Sequence, residues 1–189
     1  MPTVVFDFDK TLTRKDTVTG FLVMASGKPF VPFRILILLF FAVLHKLGII
    51  SNDFLKKTGI RLFLKGMPEN QVKRQAEIYA QKIELNEIYH REYASDYPDA
   101  IIATASYEDY VRPLCKSGQL VAATLEYIDG KVSGLKQNAY GRQKLHQLNA
   151  MGITRIDIFY TDSYSDRSLM DISTVVYLVK NNGIKKIKG

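Results

Sequence analysis

Asp7 and Asp9 close the run Val4-Val5-Phe6-Asp7-Phe8-Asp9-Lys10-Thr11, where apolar residues give way to two carboxylates and a hydroxyl-bearing turn. On an extended backbone, residues two apart point to the same side. Val5 and Phe6 are apolar, as a buried parallel strand requires. Like charges side by side at a strand end disfavour each other's ionised form. A hard divalent cation held by oxygen ligands relieves that repulsion. For a D-x-D pair taken alone, an Asp-rich turn is the competing reading.

The rest of the chain supplies partners for that pair. Asp162 ends the apolar run Ile156-Asp157-Ile158-Phe159-Tyr160-Thr161, and Asp166 follows four residues later. Between the acid pairs, Ala100-Ile101-Ile102-Ala103 ends in the hydroxyls of Thr104 and Ser106, and a short helical pattern at 141–148 carries Lys144. Ligands of open α/β sheets bind beyond the carboxyl ends of the strands. Acid pair, hydroxyl, lysine and acid pair, three of them at strand ends, describe a phosphoryl-transfer site.

This order resembles the haloacid dehalogenase-like hydrolase superfamily, and specifically its phosphoserine-phosphatase-like subfamily IB. Asp7-Phe8-Asp9-Lys10-Thr11 matches the first motif, D-x-D-x-T, and Thr104 the second. Lys144 matches the third, and Asp162 with Asp166 the D-x-x-x-D of the fourth. Lys10 departs from the small residue, often Gly, that many members carry there. The resemblance implies that Asp7 is a nucleophile forming an aspartyl-phosphate, and that Asp9 is the general acid and base. It also implies Mg²⁺ held by Asp7, Asp9 through its backbone carbonyl, and Asp162, with Asp166 either a further ligand or a support to the others. Thr104, Ala105 and Lys144 would bind the transferring phosphoryl group.

Alternatives stand beside several of these roles. Thr104 competes with a capping role at a helix starting near Tyr107, and Ser106 competes for both. Lys136 rivals Lys144 but lies in a Gly- and Asn-containing loop, whereas Leu145 and Leu148 give Lys144 a helical face. Asp157 and Asp171 read as structural or solvated. His45, His90 and His146 show no ligand spacing, and Cys115, the single cysteine, reads as a core thiol of a reducing compartment.

The elements needed to position this set are strands at 4–8, 100–104, 120–124, 156–161 and 174–179. Helical patterns at 107–116, 140–151 and 167–172 lie between them. That alternation predicts a Rossmann-like, doubly wound α/β fold with a parallel five-stranded sheet. Asp129-Gly130 marks a small hairpin off the third strand, and the lysine-rich 185–189 reads as a solvated tail. About ninety residues separate the first two strands, too many for one crossover. They read as helices at 17–25, 31–47, 53–64 and 69–89, broken at Gly27, Gly48 and Gly66. The expected organisation is an α/β core from 1–14 and 91–189, with 15–90 inserted as a helical cap that closes over the site and selects substrate.

Composition suits one such unit. The 189 residues are 47% hydrophobic and carry a net charge of +7. Entry into the first strand by Thr3 leaves no room for a signal peptide, so the expected location is cytoplasmic. Between Arg14 and Arg74 stand eleven basic residues against three acids, a balance of +8, so the remainder sums to −1. A basic surface attracts phosphates, nucleic acid or anionic headgroups. The basic residues surround an aliphatic run rather than alternating with stacking aromatics, which argues against nucleic acid.

That run, Ile35-Leu36-Ile37-Leu38-Leu39-Phe40-Phe41-Ala42-Val43-Leu44, is too short and too closely bounded by Arg34 and Lys46 to span a bilayer. A helix apolar all round is buried in protein, in a partner or in membrane. An exposed apolar face rimmed by Arg34, Lys46, Lys56 and Lys57 predicts peripheral contact with an anionic membrane, at the inner face. The composition resembles phosphatidylglycerophosphate phosphatases more than phosphoserine enzymes, which carry a glutamate after the first motif. Here Asp16 is the only acid in that stretch. The expected substrate is an anionic phosphomonoester, lipid-linked or small. A soluble-metabolite phosphatase and a catalytically idle binding module are the competing readings.

Overall fold

A computed structural model describes residues 2–180 and 183–189. β1 (Val4–Phe6) runs through the middle of the sheet. β2 (Ile101–Tyr107) and β3 (Leu120–Ile128) lie on one side of it, and β5 (Ile156–Thr161) and β6 (Ser173–Lys180) on the other, all parallel. The edges are antiparallel: β4 (Lys131–Gln137) pairs with β3, and β7 (Gly183–Lys188) with β6. Strand order reverses at β1, which opens a crevice beyond its carboxyl end.

Alternation along β1 divides the core. Val5 joins Ile101, Ala103, Val121 and Phe159 on one face, under α6 (Arg142–Ala150) and α7 (Arg167–Ile172) through Leu148 and Leu169. Val4 and Phe6 turn to the other face, against Ile102, Tyr93 and Tyr160. The apolar cluster of that second face continues without a break into the insertion through Phe21, Leu22, Ile60 and Phe63.

The insertion contains α1 (Val18–Ser26), α2 (Val31–Lys46), α3 (Asn52–Phe63) and α4 (Glu69–Ala80). α1 stops at Gly27, whose φ of 49° is the left-handed conformation glycine adopts without strain. α3 begins where the Ser51 hydroxyl accepts the Phe54 N–H at 3.1 Å. The neck to the core is two antiparallel segments bridged at Thr13 and Leu85. Asn86 N–H donates to the Leu12 carbonyl at 3.0 Å, and Arg14 N–H to that of Glu84 at 2.9 Å.

Three expectations change. Among the described residues the sheet has seven strands rather than five, because the hairpin after Asp129-Gly130 runs to Gln137 and the lysine-rich tail is strand β7. The helix expected over 69–89 ends at Ala80; the chain then forms the neck and restarts as a π-helical segment, Tyr89–Asp96. The helix expected over 107–116 shrinks to α5 (Glu108–Val111) and a 3₁₀ turn, Arg112–Leu114, where Pro113 cannot supply an N–H to continue the ladder.

Candidate active site

β1 ends at Phe6, and the backbone folds over Phe8, whose carbonyl accepts the N–H groups of Thr11, Leu12 and Thr13 at 3.2, 2.8 and 3.1 Å. This turn separates the two aspartates that an extended strand would keep parallel. It also requires a left-handed residue, and Lys10 takes it at φ 57°. Glycine adopts that conformation freely, which accounts for the small residue common at this position.

Asp7 points into the protein. Its Oδ1 accepts from the Lys144 ammonium at 2.7 Å, and the same ammonium donates to Asp166 Oδ2 at 2.7 Å. All three side chains are buried. Lys144 rises from the first turn of α6, and Asp166 ends a 3₁₀ turn, Tyr164–Asp166, after β5. The Thr11 hydroxyl donates to the remaining Asp7 oxygen at 3.4 Å.

Asp9 turns toward the insertion. Thr17 N–H and hydroxyl both donate to its Oδ1, at 2.8 and 2.6 Å, and the Ser106 hydroxyl donates to Oδ2. The Thr17 hydroxyl also lies 2.9 Å from the Tyr110 hydroxyl. Thr104, midway along β2, is buried, and its Oγ1 accepts the Ser106 N–H at 3.0 Å. That bond uses an acceptor site and leaves the Thr104 hydroxyl proton for another partner. Thr104 is therefore not a helix cap: α5 starts four residues later, and no side chain caps it.

Burial pushes Asp7 up to about 7, with Lys144 pulling it back and Asp166 and Asp9 adding repulsion. Burial pushes Asp9 up to about 6, aided by the charge of Asp16 and opposed by the Ser106 and Thr17 bonds. For Lys144, burial works against its charge, yet Asp7 and Asp166 together hold it above the ordinary lysine value. The carboxylates thus outweigh the single ammonium, and the donor set of Asp7, Asp166, Asp162 and the Asp9 carbonyl is all oxygen. Such a set fits a hard cation such as Mg²⁺.

That set is not assembled as a cluster. Among the described residues no group of three or more His, Cys, Asp or Glu side chains converges to hold a metal, and Lys144 stands between Asp7 and Asp166. Asp162 is half-buried and lines a cavity of about 360 Å³ with Lys10, Thr13, Arg14, Asn86 and Lys180. Burial raises its pKa, while Lys10 and Lys180 draw it down.

Lys56 corrects the expected basic rim. It is buried, and its ammonium leaves the insertion to reach the Ala105 carbonyl and, at 2.6 Å, Asn138 Oδ1. Burial lowers it to about 7. Ala105 is thereby tied to the insertion through its carbonyl. Asn138 in turn donates to Asn52 Oδ1 at 3.0 Å and leads toward the helix that carries Lys144. The spacing of Lys56 with Ile60 and Phe63, four and seven residues on, was the signal for an inward face. Arg34 also leaves the rim, donating to the carbonyls of Pro29, at 3.0 Å, and Leu62.

Of the other candidates, Lys136 stays exposed on β4, and Asp157 accepts the Thr3 N–H at 2.7 Å, a structural bond. Cys115 is half-buried, with its thiol 3.4 Å from the Gln119 carbonyl.

The family model for haloacid dehalogenase-like hydrolases matches residues 4–171. Among solved structures, the chain is similar to a protein of unknown function from Bordetella pertussis Tohama I, with TM-score 0.70 and 18% identity over 89% of this chain and 85% of that one. It is similar to a phosphoserine phosphohydrolase-like protein from Francisella tularensis subsp. tularensis SCHU S4, with TM-score 0.67 and 19% identity over 93% and 86%. A phospho-aspartyl intermediate analogue of phosphoserine phosphatase gives TM-score 0.57 and 19% identity over 93% and 84%. At these identities the likeness establishes the fold. No curated protein matches the chain.

Proposed function

The chain belongs to the haloacid dehalogenase-like hydrolase family, and we propose that it is a Mg²⁺-dependent phosphomonoesterase of the subfamily IB type, with 15–90 as its cap. The observation carrying this reading is the Lys144 ammonium 2.7 Å from both Asp7 and Asp166, beyond the carboxyl end of β1.

In this reading the Asp7 carboxylate attacks phosphorus and the bond to the leaving oxygen breaks, leaving an aspartyl-phosphate on Asp7. Asp9, protonated, gives its proton to the leaving oxygen. It then takes a proton from the water that attacks the aspartyl-phosphate, which frees inorganic phosphate and restores Asp7. A pKa near 6 lets one carboxyl serve in both directions near neutrality. Lys144 opposes the charge gathering on the phosphoryl oxygens, and the Thr104 hydroxyl donates to one of them. Asp7, Asp162, Asp166 and the Asp9 carbonyl would hold Mg²⁺, which when bound offsets repulsion between Asp7 and the phosphate.

The proposed substrate class is an anionic phosphomonoester, lipid-linked or otherwise. The acid nearest the first motif, Asp16, is exposed and accepts the Val18 N–H at 3.2 Å, which gives little support to an ammonium-bearing substrate. The second reading, a soluble small-metabolite phosphatase, draws support from the relatives named for phosphoserine. A screen of lipid and soluble monoesters, with and without Mg²⁺, decides between them. Mg²⁺-dependent release of phosphate, reversibly stopped by chelation, is the expected result. Full activity after exhaustive chelation would remove the metal, and no release from any monoester would remove the phosphatase.

A further inference from the structure

α2 presents one apolar stripe to solvent. Phe33 is 64% exposed, Leu36 64%, Phe40 60% and Val43 56%. Their spacing of three and four residues places them along a single helix face. Leu38 is the one fully buried residue of the helix. Phe30 before it and Leu47 and Ile49 after it are exposed as well, so the apolar surface outruns the helix at both ends. A patch of this extent on a soluble protein marks an interaction site.

Charge identifies the partner. From Thr17 to Asn52 there is no acidic residue, while Lys28 precedes the helix and Lys46 ends it. A second copy of the chain meeting this face by two-fold symmetry would bring like charges together with no acid in the stretch to pair them. An anionic lipid surface supplies the opposite sign to the exposed Lys46 at the end of the helix. No described helix is long and apolar enough to cross a membrane, so the helix would lie in the plane of the interface.

We propose that α2 is an interfacial docking helix for anionic lipid, with Phe33, Leu36, Phe40 and Val43 entering the acyl boundary and the exposed Lys46 at the headgroups. The docking deepens the phosphomonoesterase reading by placing the cleft at the surface. The His45 ring lies 5.8 Å from that of Tyr140, just before the helix that bears Lys144. Binding is nonetheless read without any substrate, so docking and chemistry fail separately.

The test is flotation of the full chain with vesicles of phosphatidylcholine alone or with about one-third phosphatidylglycerol. Binding on the order of tenfold stronger to the anionic vesicles, weakened by salt, is expected. Leu36→Ser with Phe40→Ser should remove that binding while sparing the thermal melt and hydrolysis of nitrophenyl phosphate. If the double variant does not fold, Lys46→Glu replaces it, with an expected loss of about fivefold or more. Absent or charge-indifferent binding by the wild type, or unchanged binding by a folded variant, overturns the proposal. So does a wild-type dimer that ignores vesicles and becomes monomeric in the double variant, since a second copy would then own the face.

Discussion

At the carboxyl end of the sheet, Asp7, Asp166 and Lys144 are buried and in contact. In the insertion, α2 leaves Phe33, Leu36, Phe40 and Val43 in water. The two regions depart from the usual sorting of residues in opposite senses, and the buried charges carry the greater energetic consequence. A charge inside the protein needs a partner within bonding distance, and removing one partner leaves the other uncompensated. An apolar side chain in solvent forgoes burial but strands nothing. The core is therefore intolerant at its charged residues, and the exposed face of α2 is tolerant in fold while being decisive for what the protein touches.

Substitution can break that contrast. Asp7→Asn should lower turnover by on the order of 10³ or more in steady-state assays while the circular dichroism spectrum holds. Lys144→Met should cost about 3–5 kcal/mol in urea unfolding, because Asp7 and Asp166 would face each other without an ammonium. A loss below about 1 kcal/mol would mean that this burial is not the constraint argued here.

Lys56 lies between the two regions and sharpens the comparison. Burial lowers it to about 7 in the folded chain, from an ordinary value of 10.5. Between those values the unfolded chain binds a proton that the folded chain lacks, so stability rises with pH. Measured against Lys56→Met, the wild type should gain up to about 1.4 kcal/mol per pH unit above pH 7. A difference that does not change with pH would show that Lys56 stays charged. The smallest effects belong to α2. Leu36→Ser should change stability by less than about 0.5 kcal/mol, whereas Leu38→Ala on the buried side should cost about 2–5 kcal/mol.

The sequence made the parallel core legible because its strands are local apolar runs ending in chemically distinctive residues. Asp7, Lys144 and Asp166 were legible as types at strand and helix ends, and the fold brings these three side chains into contact. What escaped depends on contacts between distant segments. The end of α4 at Ala80 follows from pairing of the neck across Thr13 and Leu85, which no local pattern encodes. β7 has the lysines of a protected edge, and composition alone does not distinguish that from a tail. The divergence of Asp7 and Asp9 follows from a turn over Phe8 that spacing alone cannot reveal.

The central claim is that Asp7 becomes phosphorylated. Acid quenching during turnover of a phosphomonoester, followed by mass analysis of the peptide containing Asp7, tests it directly. One hydroxylamine-labile phosphoryl group on Asp7, absent from Asp7→Asn, is the predicted result. A phosphoryl group on another residue, or undiminished turnover by Asp7→Asn, would contradict the account.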